Sequence, residues 1–339
     1  MKRLAQFSFA VVLASVLLGQ ISLADDVVKV TADNYVRAET DFQISTYVKN
    51  TGCFGKFIHS RKPYDVHNQV TVRSNRDTLY SYGVFDLTSP VTIRLPDPQG
   101  RYQSLMLISQ DHSIAAAYSP KKLKLTRKKV GTRYAFLAIR TFMDPNNEDD
   151  VKLAHQLQDQ VIVEQDDMGK FEVPNWDQKG IETLRAALDV LSSTMTDTST
   201  YFGDKKKLNP IHHMMGAAAG WGGLPREDAV YSVLFPPKND GKTAYTLTLK
   251  DVPVDAFWSV TLYDAEGWMP VNKYNAYSFN SVTAERNADD SVTIHFGGDP
   301  KNPNYFPLVK GWNYNVRQYR PRKEILDGSW TVPELVEVK

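Results

Sequence analysis

Cysteine is almost missing from this chain: Cys53 is the only one in 339 residues. One thiol excludes an intramolecular disulfide and any thiolate-rich metal site, so stability must come from the core. An excess of one charge is missing too. Lys and Arg total 40 against 39 Asp and Glu, which argues against nucleic acid or an anionic membrane surface as main partner, since either needs a basic excess or a clustered basic face. Long apolar runs are also absent. The run Phe7 to Leu18 falls short of the ~20 residues needed to cross a bilayer, and no later segment comes close, so the chain is expected not to span a membrane. There is no Gly-x-Ser-x-Gly elbow, no Ser-x-x-Lys with a Lys-Thr-Gly triplet, no Gly-x-Gly-x-x-Gly and no phosphate-binding loop. Hydrolases built on those motifs, nucleotide enzymes and dinucleotide oxidoreductases are disfavoured, and no nucleotide cofactor is expected.

What is present begins with an export pattern. Met1-Lys2-Arg3 precedes the apolar run, and Ser22-Leu23-Ala24 offers small residues where a signal peptidase reads. Cleavage after Ala24 predicts a periplasmic or secreted protein. About 315 residues remain, which exceeds the usual single-domain length. Two echoes divide them. Pro98-x-x-x-Tyr102-x-Ser104 returns as Pro253-x-x-x-Phe257-x-Ser259, and Gly131-x-x-Tyr134 with Arg140 returns as Gly311-x-x-Tyr314 with Arg320. The echoes are 33 residues apart in the first half and 58 in the second, which places an insertion at Gly267 to Lys310. The spacing makes Arg140 and Arg320 equivalent, with a shared structural task such as clamping the last strand.

A helix is expected over Asp33 to Lys49, and short β-rich runs follow at Val70–Arg73, Leu79–Phe85, Val91–Leu95, Tyr102–Ser109, Leu123–Leu125 and Tyr134–Ile139. Strands at that spacing, punctuated by Pro, Gly and Asp, predict an antiparallel sandwich or barrel. The basic stretch Lys121 to Lys129 is expected as a solvated edge strand. Helical periodicity then appears after Asp149-Asp150, after Asp177 and over Ile211 to Ala219, ending in Gly220-Trp221-Gly222-Gly223. Strands resume from Tyr231, with Tyr245–Leu249, Phe257–Tyr263, Val292–Phe296 and Tyr314–Tyr319. The expected fold class is mainly β: two tandem antiparallel jelly-roll-like β-sandwich domains, 25–147 and 225–339, joined by a helical segment at 148–224 and preceded by the signal at 1–24.

The segment Asn75-Arg76-Asp77-Thr78-Leu79-Tyr80-Ser81, with Phe85-Asp86-Leu87 and Pro90, resembles the core of the bacterial domain of unknown function 1254. Phe257-Trp258-Ser259-Val260-Thr261-Leu262-Tyr263-Asp264, with Gly311-Trp312, Arg317-x-Tyr319-x-Pro321 and Gly328-x-Trp330, resembles its habitual partner, the domain of unknown function 1214. The resemblance implies an exported protein with two jelly-roll-like domains. It supplies no catalytic residues.

Chemistry is therefore sought in the residues themselves. Asn75, Arg76, Thr78, Tyr80 and Gln110 are candidate ligand-binding residues where loops meet strands, and Arg76 offers a fork for a carboxylate or phosphate. Asp77, Asp111 and His112 are the candidate catalytic groups; Asp77 and its neighbours also fit a local Asx-type turn. His59, Asp111 and His112, with His67 nearby, form a weak candidate set for a divalent metal. Adjacent His212 and His213 point apart on a helix and are expected to be structural, as are the hydroxyls of Ser104 and Ser259. The aromatics of the second half, among them Trp258, Tyr263, Trp312, Tyr314 and Tyr319, belong mostly to a core, with a minority available to a concave face. A small-molecule ligand at the first β-domain is the favoured function, with a homo-oligomer possible. The alternative is a non-catalytic glycan-binding or assembly module built on the aromatic second domain.

Overall fold

The computed structural model describes residues 26–69, 72–195 and 197–339. The proposed signal segment lies outside the described residues. Helix α1 (Tyr35–Thr51) follows Asn34, whose side chain accepts from the Thr31 amide, and stops at Gly52 in the left-handed conformation. After β1 (Phe57–His59) the chain enters β2 (Thr78–Asp86), β3 (Val91–Arg94), β4 (Gln103–Ser109), β5 (Ile114–Tyr118), β6 (Lys122–Leu125), the one-turn α2 (Arg127–Val130) and β7 (Tyr134–Phe142). Helix α3 (Glu148–Asp159) opens with three acids under an Asn147 cap, which suits a positive helix end. Strand β8 (Ile162–Gln165) and helices α4 (Gln178–Ser192) and α5 (Pro210–Ala219) follow. Then come β9 (Ala229–Leu234), β10 (Tyr245–Leu249), β11 (Trp258–Tyr263), β12 (Ser278–Asn280), β13 (Val292–Phe296), β14 (Tyr305–Phe306), β15 (Asn313–Tyr319), the short α6 (Lys323–Leu326) and β16 (Val336–Glu337).

The fold is mainly β, and all but one of its strand pairings, β13 with β14, are antiparallel. The sheet orders are β1-β2-β7-β4-β5, β6-β3-β8, β12-β11-β15-β9 and β14-β13-β10-β16. Three apolar cores explain how they stack. Phe85, Leu105, Leu137 and Ile139 of the five-stranded sheet meet Val91, Ile93 and Leu125 of the three-stranded one. Val260, Leu262, Tyr314 and Val316 meet Leu247, Ile294 and Phe296 between the two four-stranded sheets. The other face of the five-stranded sheet packs on α1, Phe257 and Tyr319. Strands β2 and β7 are thus covered on both sides, which is why β7 is buried at every position.

Two expectations change. Val72 and Arg73 form a turn rather than a strand, because the Arg73 amide donates to Gly267 and Arg73 takes φ 54°; Val70 and Thr71 lie outside the described residues. Residues 148–224 are not only helical, since β8 pairs with β3 in the three-stranded sheet. The stretch Gly267 to Lys310, read as an insertion, carries β12, β13 and β14, which belong to both four-stranded sheets. The lysine-rich β6 pairs only with β3 and is an edge. Phe296 is fully buried among Phe306, Trp312 and Tyr314, at ring separations of 5.5, 4.9 and 5.1 Å. Phe296→Ala is expected to lower stability by about 3–5 kcal/mol in urea unfolding. A loss below ~1 kcal/mol would show that this core does not support the fold.

Candidate functional site

Side-chain alternation decides what meets between the sheets. On the five-stranded sheet Tyr80 lies opposite Arg140 and Ser104, and Tyr82 opposite Ala138 and Met106, so these side chains share one face. On the neighbouring four-stranded sheet the same alternation turns Val316 and Tyr314 into the core and leaves Arg317 and Tyr319 on the outer face, with Tyr231 of β9 opposite Arg317. The two faces enclose a cavity of about 740 Å³. Gln43 and Tyr47 of α1, Lys62, the turn Val72 to Ser74, Arg185 of α4 and the loop Gly220 to Gly223 also line it.

Arg140 is the chemically unusual group there. It is 8% exposed, donates to Met106 Sδ at 3.7 Å and lies over the ring of Tyr80 at 5.4 Å. It has no salt bridge among the described residues, and no carboxylate lines the cavity. Burial opposes its charge, but the phenols of Tyr80, Tyr231, Tyr102 and Tyr319 outweigh that, and its pKa moves up. The guanidinium therefore stays cationic without an anion, a costly state in a protein interior. Thr78 lines the same cavity, and its buried Oγ1 has no partner. Burial raises the phenols of Tyr47, Tyr82 and Tyr319 above the ordinary range, so they remain protonated donors.

Arg317 shows the opposite state. It bonds Thr261 Oγ1 at 2.8 Å, the Arg73 and Ser74 carbonyls at 2.7 and 3.2 Å, and the Tyr263 hydroxyl at 2.5 Å. Register also corrects the equivalence drawn from spacing. Ser104 lies opposite Arg140 and Ser259 lies opposite Arg317, whereas Arg320 ends its strand at φ 52°, 3.8 Å from Asp255.

Of the residues singled out from sequence, Asn75, Thr78 and Tyr80 line the cavity. Asn75 Nδ2 donates to the Tyr319 hydroxyl at 2.6 Å, and its Oδ1 accepts from the Asp77 amide in an Asx turn. Arg76 and Asp77 do not line it. Arg76 lies over the Tyr277 ring at 5.0 Å, where burial lowers its pKa, and Asp77 accepts from Ser278 and Asn280 of the other half at 2.8 and 3.1 Å. Gln110 and Asp111 clamp helices. Gln110 donates to Asp41 at 2.8 Å and Asp111 pairs with Arg37 and Lys205, which hold its pKa low against the opposing effect of burial.

His112 is fully buried behind the glycine loop. Its Nε2 accepts from the Gly222 amide at 3.0 Å, and its ring stacks on Trp221 at 5.9 Å. His59 faces away from the cavity, bonded to Ser81, and three strands separate it from the β4–β5 turn that carries Asp111 and His112, on the order of 15 Å at sheet spacing. The candidate metal set is therefore not brought together. His67 is exposed, and no group of three or more His, Cys, Asp or Glu able to hold a metal occurs among the described residues. His213 bonds the Asp111 carbonyl and His212 bonds Thr200, both structural contacts. Trp312, Tyr263 and Tyr314 are buried at 0–3% exposure, so they form no open aromatic face.

Sequence reasoning missed Tyr47, Tyr82, Met106, Phe136, Ala138 and Trp221 as lining residues. The available signal was the alternation Phe136-x-Ala138-x-Arg140, which puts a cation on an otherwise apolar strand face. A second cavity of about 610 Å³ contains Arg101, Asp150, Asp255 and Arg320. Its arginines face their own carboxylates, Arg101 with Asp150 at 2.6 Å and Arg320 with Asp255, so neither guanidinium lacks an anion.

Residues 54–122 match the family model described as a protein of unknown function (DUF1254), and residues 237–323 match a protein of unknown function (DUF1214). The chain carries this pair in the order its motifs implied. No curated protein matches it in sequence. The crystal structure of the VPA0106 protein from Vibrio parahaemolyticus is similar in fold, with a TM-score of 0.67 at 20% identity over 91% of this chain and 98% of that one. An uncharacterized protein from Burkholderia cenocepacia aligns at a TM-score of 0.48 and 14% identity over 91% and 89%.

Burial lowers the His112 pKa to about 3, with a smaller contribution from His213. An unfolded histidine titrates near ~6.5, so the stability owed to the neutral buried ring is complete above that pH and is lost as pH falls towards 3. Between pH 6.5 and 5 a His112→Phe variant is expected to lose stability more slowly than the parent, by a difference that grows to about 1.4 kcal/mol per pH unit at the lower end. Parallel stability curves for the two proteins would mean that His112 is not buried and neutral.

Proposed function

We propose that this protein binds a small organic anion in the cavity between the sheets, with Arg140 as the charged anchor and Asn75, Thr78 and Tyr80 beside it. The observation that carries this reading is a buried guanidinium with no carboxylate partner, facing about 740 Å³ of space. A purely structural arginine would be expected to look like Arg317, with its donors answered by carbonyls and hydroxyls. Organic rather than inorganic anions are favoured because Tyr47, Tyr82, Phe136 and Trp221 line the same space.

Two wider expectations accompany this reading. The paired sheets in each half are read as jelly-roll-like sandwiches in tandem, supported by the separate cores. Export rests on the Met1 to Ala24 pattern, and a mature N-terminus at Asp25, read by Edman sequencing, is the expected outcome. An N-terminus still carrying Phe7 to Leu18 in the exported fraction would overturn it.

Anion binding is tested with benzoate against neutral benzamide in thermal-shift titrations. Benzoate is expected to raise the melting temperature and benzamide to have little effect. Arg140→Met should weaken benzoate at least tenfold, the scale of a lost charge-assisted hydrogen bond. It should also leave the ligand-free protein as stable as the parent or more so, because an unpaired buried charge has been removed. If the variant melts much lower and benzoate still protects it, Arg140 is a clamp and the reading fails.

A further inference from the structure

The cavity floor is polar at one end and apolar at the other. Along β7, Arg140, Ala138 and Phe136 succeed one another on the same face, so Arg140 and Phe136 lie ~13 Å apart along the strand. At the Phe136 end the rings form a box. Tyr47 lies 4.8 Å from Phe136 and 4.9 Å from Tyr82, and Trp221 meets Phe136 at 5.2 Å. Between the box and the cation the strand carries only the methyl group of Ala138, with Met106 opposite it on β4. Trp221 is held in the box from behind by the His112 stack and by its Nε1 bond to Thr40 at 3.3 Å. Gly222 has φ 78°, and a Cβ there would sit 3.3 Å from Ile108. The loop can therefore lie this close to the floor only with glycine at that position.

From this arrangement we infer that the ligand is an elongated amphipathic monocarboxylate, its head on Arg140 and its hydrocarbon body lying over Ala138 into the box of Tyr47, Tyr82, Phe136 and Trp221. The inference rests on the cavity being the anion site and adds the ligand's shape, polarity and direction. A compact anion would fill only the Arg140 end and leave the box unused. A dianion would bring its second charge towards the rings, and Lys62, which also lines the cavity, is exposed and already answered by water. Ala138 is 2% exposed between Tyr82 and Met106, so a larger side chain there would intrude on the space that joins the two ends of the floor.

The test is a series of straight-chain carboxylates (acetate, butanoate, hexanoate and octanoate), with 1-octanol as the uncharged control, followed by calorimetry and tryptophan fluorescence. Affinity is expected to rise about fourfold per buried methylene along the series, with octanol at least tenfold weaker than octanoate. Octanoate should perturb the fluorescence and acetate should not, and Trp221→Phe should remove most of that signal. Ala138→Leu is expected to cost octanoate at least tenfold more affinity than acetate; Met106→Phe serves the same purpose should the first variant not fold. Equal affinities for acetate and octanoate overturn the amphipathic ligand while leaving the anion site standing. Equal losses for the two acids in Ala138→Leu overturn the placement of the hydrocarbon body. Octanol binding as well as octanoate detaches the head from Arg140, and failure of every carboxylate removes the anion site together with this inference.

Discussion

The guanidinium of Arg317 is the constraint on which the junction of the molecule depends. Strand β15 must bury Tyr314 and Val316 on one face, so alternation delivers Asn313, Asn315, Arg317 and Tyr319 to the other. That second face is also buried, and a charge there must be answered. Only part of the answer comes from its own sheet, through Thr261 and Tyr263. The rest comes from the carbonyls of Arg73 and Ser74, which belong to the segment leading into β2. Once those carbonyls are fixed, Asn75 reaches Tyr319 and Asp77 reaches Ser278 and Asn280. The segment from 73 to 78 thus stitches one half of the chain to the other and sets the height of the cavity wall.

Arg140 and Arg317 occupy matching places opposite Ser104 and Ser259, yet they end in different states. Backbone carbonyls crowd the second and none reach the first. The difference follows from what covers each face: a loop rich in acceptors over β15, and aromatic rings with a glycine loop over β7. Aromatic rings tolerate a cation but leave its hydrogen-bond donors unused. The clamps around Gln110, Asp111 and His112 serve the same end indirectly, fixing α1 and the Trp221 loop against the sheet so that the cover keeps its shape.

Much of the fold was legible because it is local. Tyr245–Leu249 and Val292–Phe296 were bounded correctly because alternation and turn residues agree there, and α4 starts after Asp177 as its periodicity required. The short strands β1, β5, β12 and β14 were not legible: each is an edge strand of two to five residues, bonded only to the strand next to it in sequence, and is too short for alternation to show. Half of the site was readable for the same reason. Asn75, Thr78 and Tyr80 stood out as polar groups at a strand entrance, but the motif also contains Arg76 and Asp77, whose work is packing and tethering. His59 and His112 were drawn together only by residue type, and the fold places one on the edge strand β1 and the other in the β4–β5 turn. Arg140 was noticed through an echo whose spacing pointed to Arg320, because strand register can shift by three residues without erasing a sequence repeat.

The cover over Arg140 has one more consequence, in the way the charge responds to salt. Ions in solution weaken exposed charges through a diffuse atmosphere about 10 Å thick at 0.1 M, and Arg61 or Arg94 at the surface lies within reach of it. The Arg140 guanidinium is 8% exposed, and that atmosphere reaches it only through the cavity it faces. Salt can act on it only one ion at a time, by occupying the space itself. A charge so placed feels bulk ionic strength less than a surface arginine does, and feels the size and dehydration cost of each individual anion more.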